Sequence, residues 1–195
     1  MLDISNFPWA ECAITENRML YVSDPLSLKR KKRGTGKHRY EFELVTVQMP
    51  TRKGIGVMAK LSAATESTLK FIHPVLSFST GTEPSSKIQS YGVNESGSKF
   101  LSLSSSQPWQ LMSGDYIQVG NDTKVFQVVN DTLLQAGNQT VELTSALRYS
   151  LTSGVDIIVN DVEWRLESDG IIESGGMEAS DNQEIELTLM AVEKL

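Results

Sequence analysis

Hydrophobic and polar residues alternate along two similar stretches, one near each end of the chain. Residues 40–47 read YEFELVTV, and residues 184–192 read EIELTLMAV. Period-two alternation over such lengths is typical of a β-strand with one buried face. Because the two stretches share this pattern, we expect them to lie in one sheet, which would bring the N- and C-terminal segments of the chain together.

The residues before the first of these strands predict further β-structure. Short strands are expected at 8–14 and 19–22, followed by a turn at Asp24-Pro25. We expect a long hairpin with arms at 26–32 and 38–49. Gly34 and Gly36 supply the backbone freedom that a reversal between these arms requires.

One helix is predicted after Pro50. Thr51 is a suitable N-cap for a helix over residues 52–71. Its first turn is weakened by Gly54 and Gly56. The apolar residues recur at roughly helical spacing, which predicts packing across the sheet. They are Val57, Met58, Leu61, Ala64 and Leu69.

The middle of the chain has a different texture. Residues 77–106 contain eleven serines and little periodicity, which indicates a domain boundary or an excursion from the first domain. Short strands are expected at 88–91, 100–103, 115–119, 124–129 and 139–143, with a tight turn at 120–122. Several short strands joined by tight turns predict a small barrel, of the oligonucleotide/oligosaccharide-binding (OB) type or SH3-like.

These elements predict a mainly β fold with two domains. Residues 155–159 and 161–166 read as a hairpin around Asn160-Asp161. We therefore expect residues 1–73 and 155–195 to form a discontinuous β-sandwich or barrel domain with one packed helix. Residues 74–154 are expected to form an inserted OB-like β-barrel.

The charge of the chain is distributed asymmetrically. The net charge is −6, but residues 29–39 contain seven cations and no acid, which leaves eleven cations against 24 acids elsewhere. From residue 155 onward, eleven acids face two cations. This asymmetry suits complementary contact between neighbouring copies, and it equally suits a solvated loop and a solvated face. The seven cations, referred to below as the basic block, are Lys29, Arg30, Lys31, Lys32, Arg33, Lys37 and Arg39.

The residues predict no catalytic, cofactor or metal site. Cys12 is the only cysteine and the chain has two histidines, so neither a disulfide nor a cysteine-rich zinc site is expected. Gly34-Thr35-Gly36-Lys37 resembles the end of a phosphate-binding loop, but Lys31 and His38 occupy positions where that loop needs glycine and Ser or Thr. Two S-x-x-K matches lack the companion motifs of serine acyl-enzymes. They begin at Ser67 and Ser96.

Composition also argues against several locations and partners. No apolar run approaches the roughly 18 residues of a membrane span, and the first residues do not resemble a signal peptide. Nucleic-acid binding would rest on the basic block alone, without the exposed aromatic rows of single-strand binders. We therefore expect no membrane partner and no specific nucleic-acid partner.

Two groups of motifs resemble the distal tail and baseplate proteins of long-tailed phages. The first is Arg39-Tyr40-Glu41 after a basic, glycine-containing segment. The second is residues 114–120 (GDYIQVG) followed by 124–128 (KVFQV), with Ala146-Leu147-Arg148 as a looser match. The resemblance extends from about residue 24 to the end of the chain.

This resemblance implies a structural role in a virion, assembled in the host cytoplasm. A β domain would form a ring, most often six-fold, that joins the tail tube protein to the hub or baseplate, with the inserted barrel on its outside. One alternative is a carbohydrate-binding module for host surface glycans, which would need an exposed aromatic platform at Tyr91 or Trp109. Another is a different tail or head-completion ring protein with the same β texture.

Overall fold

The computed structural model describes residues 1–23, 31–63, 67–120, 122–174 and 184–194, with the backbone alone at 18–23, 31–37 and 171–174. The chain divides into two compact units. Unit 1 comprises Met1–Phe71 and Arg165–Leu195, and unit 2 comprises Ile72–Trp164. Each unit is built mainly from β-strands, and each is described by itself below.

Unit 1 is organised around a sheet with one short strand off its path. The strands are β1 (Leu2–Asp3), β2 (Trp9–Ser23), β3 (Lys31–Thr46), β4 (Met49–Pro50), β5 (Leu69–Ile72), β12 (Glu163–Ser174) and β13 (Glu184–Glu193). Their order in the sheet is β1-β5-β12-β13-β3-β2, with β4 paired to β13.

The predicted pairing of the two similar stretches is confirmed. Strands β3 and β13 run antiparallel, with Leu189 opposite Leu44 and Ala191 opposite Phe42. All four side chains are buried, because alternate residues of a strand point to the same face of the sheet. Phe42 also packs edge-on against Phe71, with ring centroids 6.1 Å apart.

The hairpin prediction is wrong in its partner and in its turn. Strand β3 pairs with β2, and Lys31 and Lys32, which were expected on the opposite arm, are part of β3 itself; residues 24–30 lie outside the described part of the chain. Gly34 lies within β3, opposite Leu20. The register shifts between this pair and the next one, Arg18 opposite His38, so the extra residues of β3 form a bulge. Glycine inside a strand often marks such a bulge. Because glycine is also typical of tight turns, the sequence pattern predicted a turn at this position.

The helix is shorter than predicted. Helix α1 spans Thr51–Ala63, while residues 69–71, predicted to be helical, belong to β5. Leu69 and Phe71 are buried on that strand. Two-residue spacing of buried side chains fits a strand. The sequence pattern predicted a helix there because Leu69 also fits an approximate helical spacing with the apolar residues before it. Val57 and Met58 do pack as expected, against a cluster of Met49, Ile185 and Leu187.

Two glycines in α1 have opposite environments, which yields a testable prediction. A Cβ added at Gly54 would lie 2.2 Å from Ile185 Cδ1, whereas one added at Gly56 would meet nothing within 4 Å. Ile185 is fully buried, so it has little room to yield. We expect Gly54→Ala to lower the free energy of unfolding by about 1–3 kcal/mol through overpacking.

Gly56→Ala is the matched control for this prediction, measured by urea unfolding of both variants. It should raise the free energy of unfolding by up to about 1 kcal/mol, because alanine favours the helix. Equal effects of the same sign at the two positions would contradict the packing described here.

Unit 2 is built on a second sheet of six strands. The strands are β6 (Ile88–Ser90), β7 (Phe100–Trp109), β8 (Tyr116–Val119), β9 (Val125–Gln127), β10 (Gln135–Glu142) and β11 (Asp156–Ile158). Their order in the sheet is β10-β7-β6-β11-β8-β9. Val128 and Leu143, just beyond the two edge strands, form an antiparallel bridge. The sheet therefore curls so that its edges meet there, around a core that includes Leu101, Trp109 and Phe126.

The predicted hairpin at residues 155–166 is not formed. Strand β11 pairs with β6 and β8, and β12 pairs with β13. Ile157 and Val159 belong to the core of unit 2, so residues 155–164 lie in that unit, although the sequence-based boundary placed them in the first domain. A two-residue turn motif signals a reversal of the chain, but it does not specify which strands become partners.

The fold class is thus mainly β, of the sandwich or barrel type, with one helix in the described part of the chain. Among the described residues, no helix is long and apolar enough to cross a membrane.

Candidate functional site

The basic block lies largely on the β2–β3 hairpin. Lys31, Lys32, Arg33 and Lys37 are on β3, and their side chains, together with all of Lys29 and Arg30, lie outside the described part. Arg39 is exposed. Next to it, His38 is buried, and its Nε2 lies 2.5 Å from Glu16 Oε1 on β2. The block is therefore carried mainly by an extended strand and not by a glycine turn.

Trp109 and Tyr91, the two predicted platform residues, have different environments. Trp109 is fully buried, and its Nε1 donates a hydrogen bond to the Gly137 carbonyl oxygen at 3.3 Å. It therefore cannot serve as a glycan platform, and the prediction for this residue is wrong. An apolar ring on a barrel strand gains more from burial in the core than from exposure. Tyr91, in contrast, is half exposed.

Tyr91 borders a polar groove in unit 2 with a volume of about 440 Å³. The groove also contains Lys87 and Gln89, and both donate hydrogen bonds to Asp156. These two bonds hold the pKa of the Asp156 carboxyl below its ordinary value. Most of the remaining lining residues carry hydroxyl groups. They are Ser86, Ser90, Ser104, Ser105, Ser106 and Ser153.

A second cleft in unit 2 combines an aliphatic floor with a polar wall. It has a volume of about 380 Å³, and we call it the Arg148 cleft. Its floor consists of Val119, Leu147, Leu151 and Val155, and its wall and rim of Asp122, Thr123, Arg148 and Tyr149.

The polar wall of the Arg148 cleft is held together by the guanidinium. Nη1 of Arg148 donates to Asp122 Oδ1 and to Thr123 Oγ1, each at 3.3 Å, and Nη2 donates to the Tyr149 hydroxyl at 3.2 Å. The guanidinium carbon also lies 5.2 Å from the centroid of the Tyr149 ring, within the range of a cation–π contact. The wall is therefore ordered and close to neutral in charge.

Asp115 lies at the centre of a third polar cluster, in which its buried carboxylate connects two loops of unit 2. Oδ1 accepts from the Thr80 amide at 2.9 Å and the Thr80 hydroxyl at 2.7 Å. Oδ2 accepts from the Ser79 hydroxyl at 2.5 Å and the Met112 amide at 2.9 Å. Burial by itself raises the pKa of this carboxyl, but the bonds from Ser79, Met112 and Thr80 outweigh burial and hold the pKa below its ordinary value. Asp115, the acidic residue of the GD motif at 114–115, thus has a structural role.

The His73 and Ser96 side chains form hydrogen bonds with the backbone. Nδ1 of His73 accepts hydrogen bonds from the Val75 and Leu76 amides at 3.1 and 2.9 Å. Ser96 donates to the Arg148 carbonyl oxygen, and Lys70 lies on β5 opposite Asp3. Burial, with a smaller effect of Glu11, raises the pKa of the Cys12 thiol.

Sequence reasoning missed the Arg148 cleft and the Asp115 junction. Arg148 was noted only as part of a loose motif match, because the residues it contacts are 25 and 26 positions away along the chain. The Asp115 phrase was noted, but its partners on the 79–80 loop carried no signal beyond a serine-rich composition. Both arrangements depend on contacts between distant parts of the chain, which periodicity does not report.

Neither a comparison with models of known protein families nor a search among curated proteins finds a match for this chain. Among the described residues, no group of three or more His, Cys, Asp or Glu side chains is placed to hold a metal ion.

Proposed function

We propose that the protein is a structural, non-enzymatic subunit of a phage tail tip, of the distal tail type. Copies of the chain form a closed ring, six-fold by analogy with that class, that joins the tail tube protein to the hub or baseplate. The virion would be its location. The proposal rests on the resemblance at residues 39–41 and 114–128 and on one feature of unit 1.

That feature is the length of edge strand β2. It spans 15 residues, and among the described residues it pairs with β3 on one side only. A long edge strand presents a row of backbone donors and acceptors that another chain can pair with, and natural proteins cover or blunt such edges. A neighbouring copy in a ring would cover it. Apolar surface buried between copies would supply most of the association energy.

The charge distribution supports contact between unlike surfaces of neighbouring subunits. Five of the seven residues of the basic block lie on β3, the strand next to this edge, while the chain from residue 155 onward is strongly acidic. Exposed ion pairs contribute only about 0–1 kcal/mol each. The block would therefore set register and association rate more than total affinity.

The test of ring formation is the mass of the purified protein in solution, followed by ring symmetry in negative-stain images. We expect a mass six times that of the subunit. A protein that stays monomeric at high concentration would overturn the ring proposal.

Charge reversal tests the role of the basic block separately. Changing Arg30, Lys32 and Arg33 together to Glu should slow assembly several-fold at low salt, and added salt should reduce the difference because it screens the repulsion. Unfolding curves should stay unchanged. The matched control reverses three exposed cations of α1, Arg52, Lys53 and Lys60, and should assemble at the normal rate. Equal rates for both triple variants would remove the block from the assembly contact.

Glycan binding is a second candidate function, favoured by Tyr91. Its half-exposed ring borders the groove lined by six serines, and hydroxyl and amide groups beside an aromatic ring suit the polar and apolar faces of a sugar. Loss of binding to immobilised host polysaccharide in Tyr91→Ala, but not in Tyr149→Ala, would support it. Absence of binding by the unmodified protein would exclude it.

A further inference from the structure

We propose that the Arg148 cleft binds an apolar side chain of a peptide segment, whose adjoining amide group bridges Asp122 and Arg148. The cleft lies within unit 2, and the inference does not depend on ring formation. Its volume of about 380 Å³ falls in the range of natural ligand sites. It is large enough for one side chain with its flanking main-chain groups.

The floor of the cleft determines which kind of chemical group is favoured inside it. Val119 and Leu147 are buried core residues, and Leu151 and Val155 are partly buried against that core. All four side chains are aliphatic. A pocket with such a floor gains by removing apolar surface from water, so an aliphatic or aromatic group is the favoured occupant. A sugar ring would place hydroxyl groups against a surface that offers them no hydrogen bonds.

A glycine shapes one side of this floor. Gly120 has φ of +40°, and a Cβ there would lie 2.7 Å from Val155 Cγ1. The Gly120 amide donates to the Asp156 carbonyl oxygen at 2.8 Å. The absence of a side chain thus allows the β8 end to approach the chain just before β11, and this approach sets the position of Val155.

The wall determines the charge of the ligand. Asp122 Oδ1 already accepts from Arg148 and from the Lys124 amide. Among the described residues, the hydrogen bonds of these two side chains use Asp122 Oδ1 and Arg148 Nη1 and Nη2, and none of them uses Asp122 Oδ2 or Arg148 Nε. The wall therefore offers an acceptor beside a donor, and its formal charges cancel.

An amide group matches this arrangement, because its N–H can donate to the carboxylate while its carbonyl oxygen accepts from the guanidinium. A ligand carboxylate would be attracted by Arg148 but repelled by Asp122, and a ligand ammonium would meet the reverse situation. A neutral peptide group avoids both penalties. The apolar floor and the neutral wall together favour a peptide segment over a saccharide or a charged metabolite.

The experiment uses the full chain and three probes followed by NMR. N-acetyl-L-leucinamide and N-acetyl-L-phenylalaninamide represent the peptide, and N-acetyl-L-leucine carries a carboxylate in place of the amide. We expect the amides to shift the methyl signals of Leu147, Leu151 and Val155 with dissociation constants of about 1–20 mM, the range expected for so few contacts. The carboxylate probe keeps the acetamide but should bind several-fold more weakly, because its charged group loses more hydration than a carboxamide on entering the cleft and is repelled by Asp122.

Two variants separate the floor from the wall. Gly120→Ala should weaken amide binding by displacing Val155, and Asp122→Asn should reduce the preference for the amide over the carboxylate. Lys87→Gln, which lies outside the cleft, should bind like the unmodified protein. Methyl shifts with a monosaccharide panel but not with the amides, tighter binding of the carboxylate, or no shift with any probe would each overturn the proposal.

Discussion

Asp115→Ala should be among the most destabilising single substitutions in unit 2. The carboxylate is buried and accepts four hydrogen bonds from two loops. Its removal leaves the Thr80 and Met112 amides without these acceptors, and a buried donor without a partner costs about 1–3 kcal/mol. We expect the free energy of unfolding to fall by about 2–4 kcal/mol. Tryptophan fluorescence during urea unfolding provides the measurement, because Trp109 and Trp164 are buried in this unit.

The matched control for this substitution is Asp131→Ala. Asp131 Oδ1 accepts one hydrogen bond, from the Ser113 amide at 2.7 Å, at an exposed position. We expect a loss of less than about 1 kcal/mol there, because water replaces the lost acceptor. If the two variants unfold at the same urea concentration, the Asp115 junction does not contribute as described.

The same carboxylate predicts a direction of pH dependence. Because its pKa in the folded state lies below the ordinary value of 3.8, its contribution is fully present above that value and is lost as the pH falls through the folded pKa. Asp115→Asn removes the titration while keeping the shape of the side chain. The stability difference between the unmodified protein and Asp115→Asn should therefore shrink below about pH 4. A difference that stays constant as the pH falls from about 5 to about 2.5 would contradict this assignment.

Gly81→Ala should cause a loss of similar size for a steric reason. An added Cβ would lie 2.1 Å from the Gln110 carbonyl oxygen and 2.8 Å from its carbon. These are backbone atoms, and the same carbonyl accepts from the Thr82 amide at 3.0 Å in a reciprocal bridge. The clash cannot be relieved by rotation of a side chain. We expect the bridge to separate and the free energy of unfolding to fall by about 2–4 kcal/mol.

Gly92→Ala is the control for this prediction, because it adds a methyl group to a glycine without a steric clash. Gly92 has φ of +69°, and an added Cβ there would meet nothing within 4 Å. Its cost should be about 1 kcal/mol, from backbone conformation alone. Thermal unfolding of the two variants gives the comparison. A smaller loss at Gly81 than at Gly92 would contradict the close approach of the 81–82 segment to Gln110.

The local pattern predicted most of the elements, but the only strand pairing that it predicted correctly is that of β3 with β13. The alternation at 40–47 and 184–192 specified both the strands and their buried faces, because a half-buried strand imposes its period on the sequence. The bulge at Gly34 and the change from helix to strand before Leu69 were not predicted. Glycine serves bulges as well as turns, and apolar spacing over a few residues fits either period.

The candidate sites depended still more on long-range packing. Sequence reasoning selected Tyr91 and Trp109 together as aromatic residues, but only the curled sheet of unit 2 placed one in the core and left the other half exposed. Both residues carry large aromatic rings, so side-chain chemistry alone did not distinguish the buried one from the exposed one. The difference lies in which face of the barrel each residue occupies, and strand pairing decides that.

The sequence by itself determined the β-rich class, the separate texture of the middle segment and the asymmetric charge, because each of these is a property of composition or of neighbouring residues. Only the tertiary structure decided that residues 155–164 complete unit 2, that Asp115 joins two loops, and that Arg148 meets Asp122 beside an aliphatic floor. These arrangements bring together residues far apart in sequence. Their energies arise from burial and hydrogen-bond geometry, which exist only once the sheet has closed.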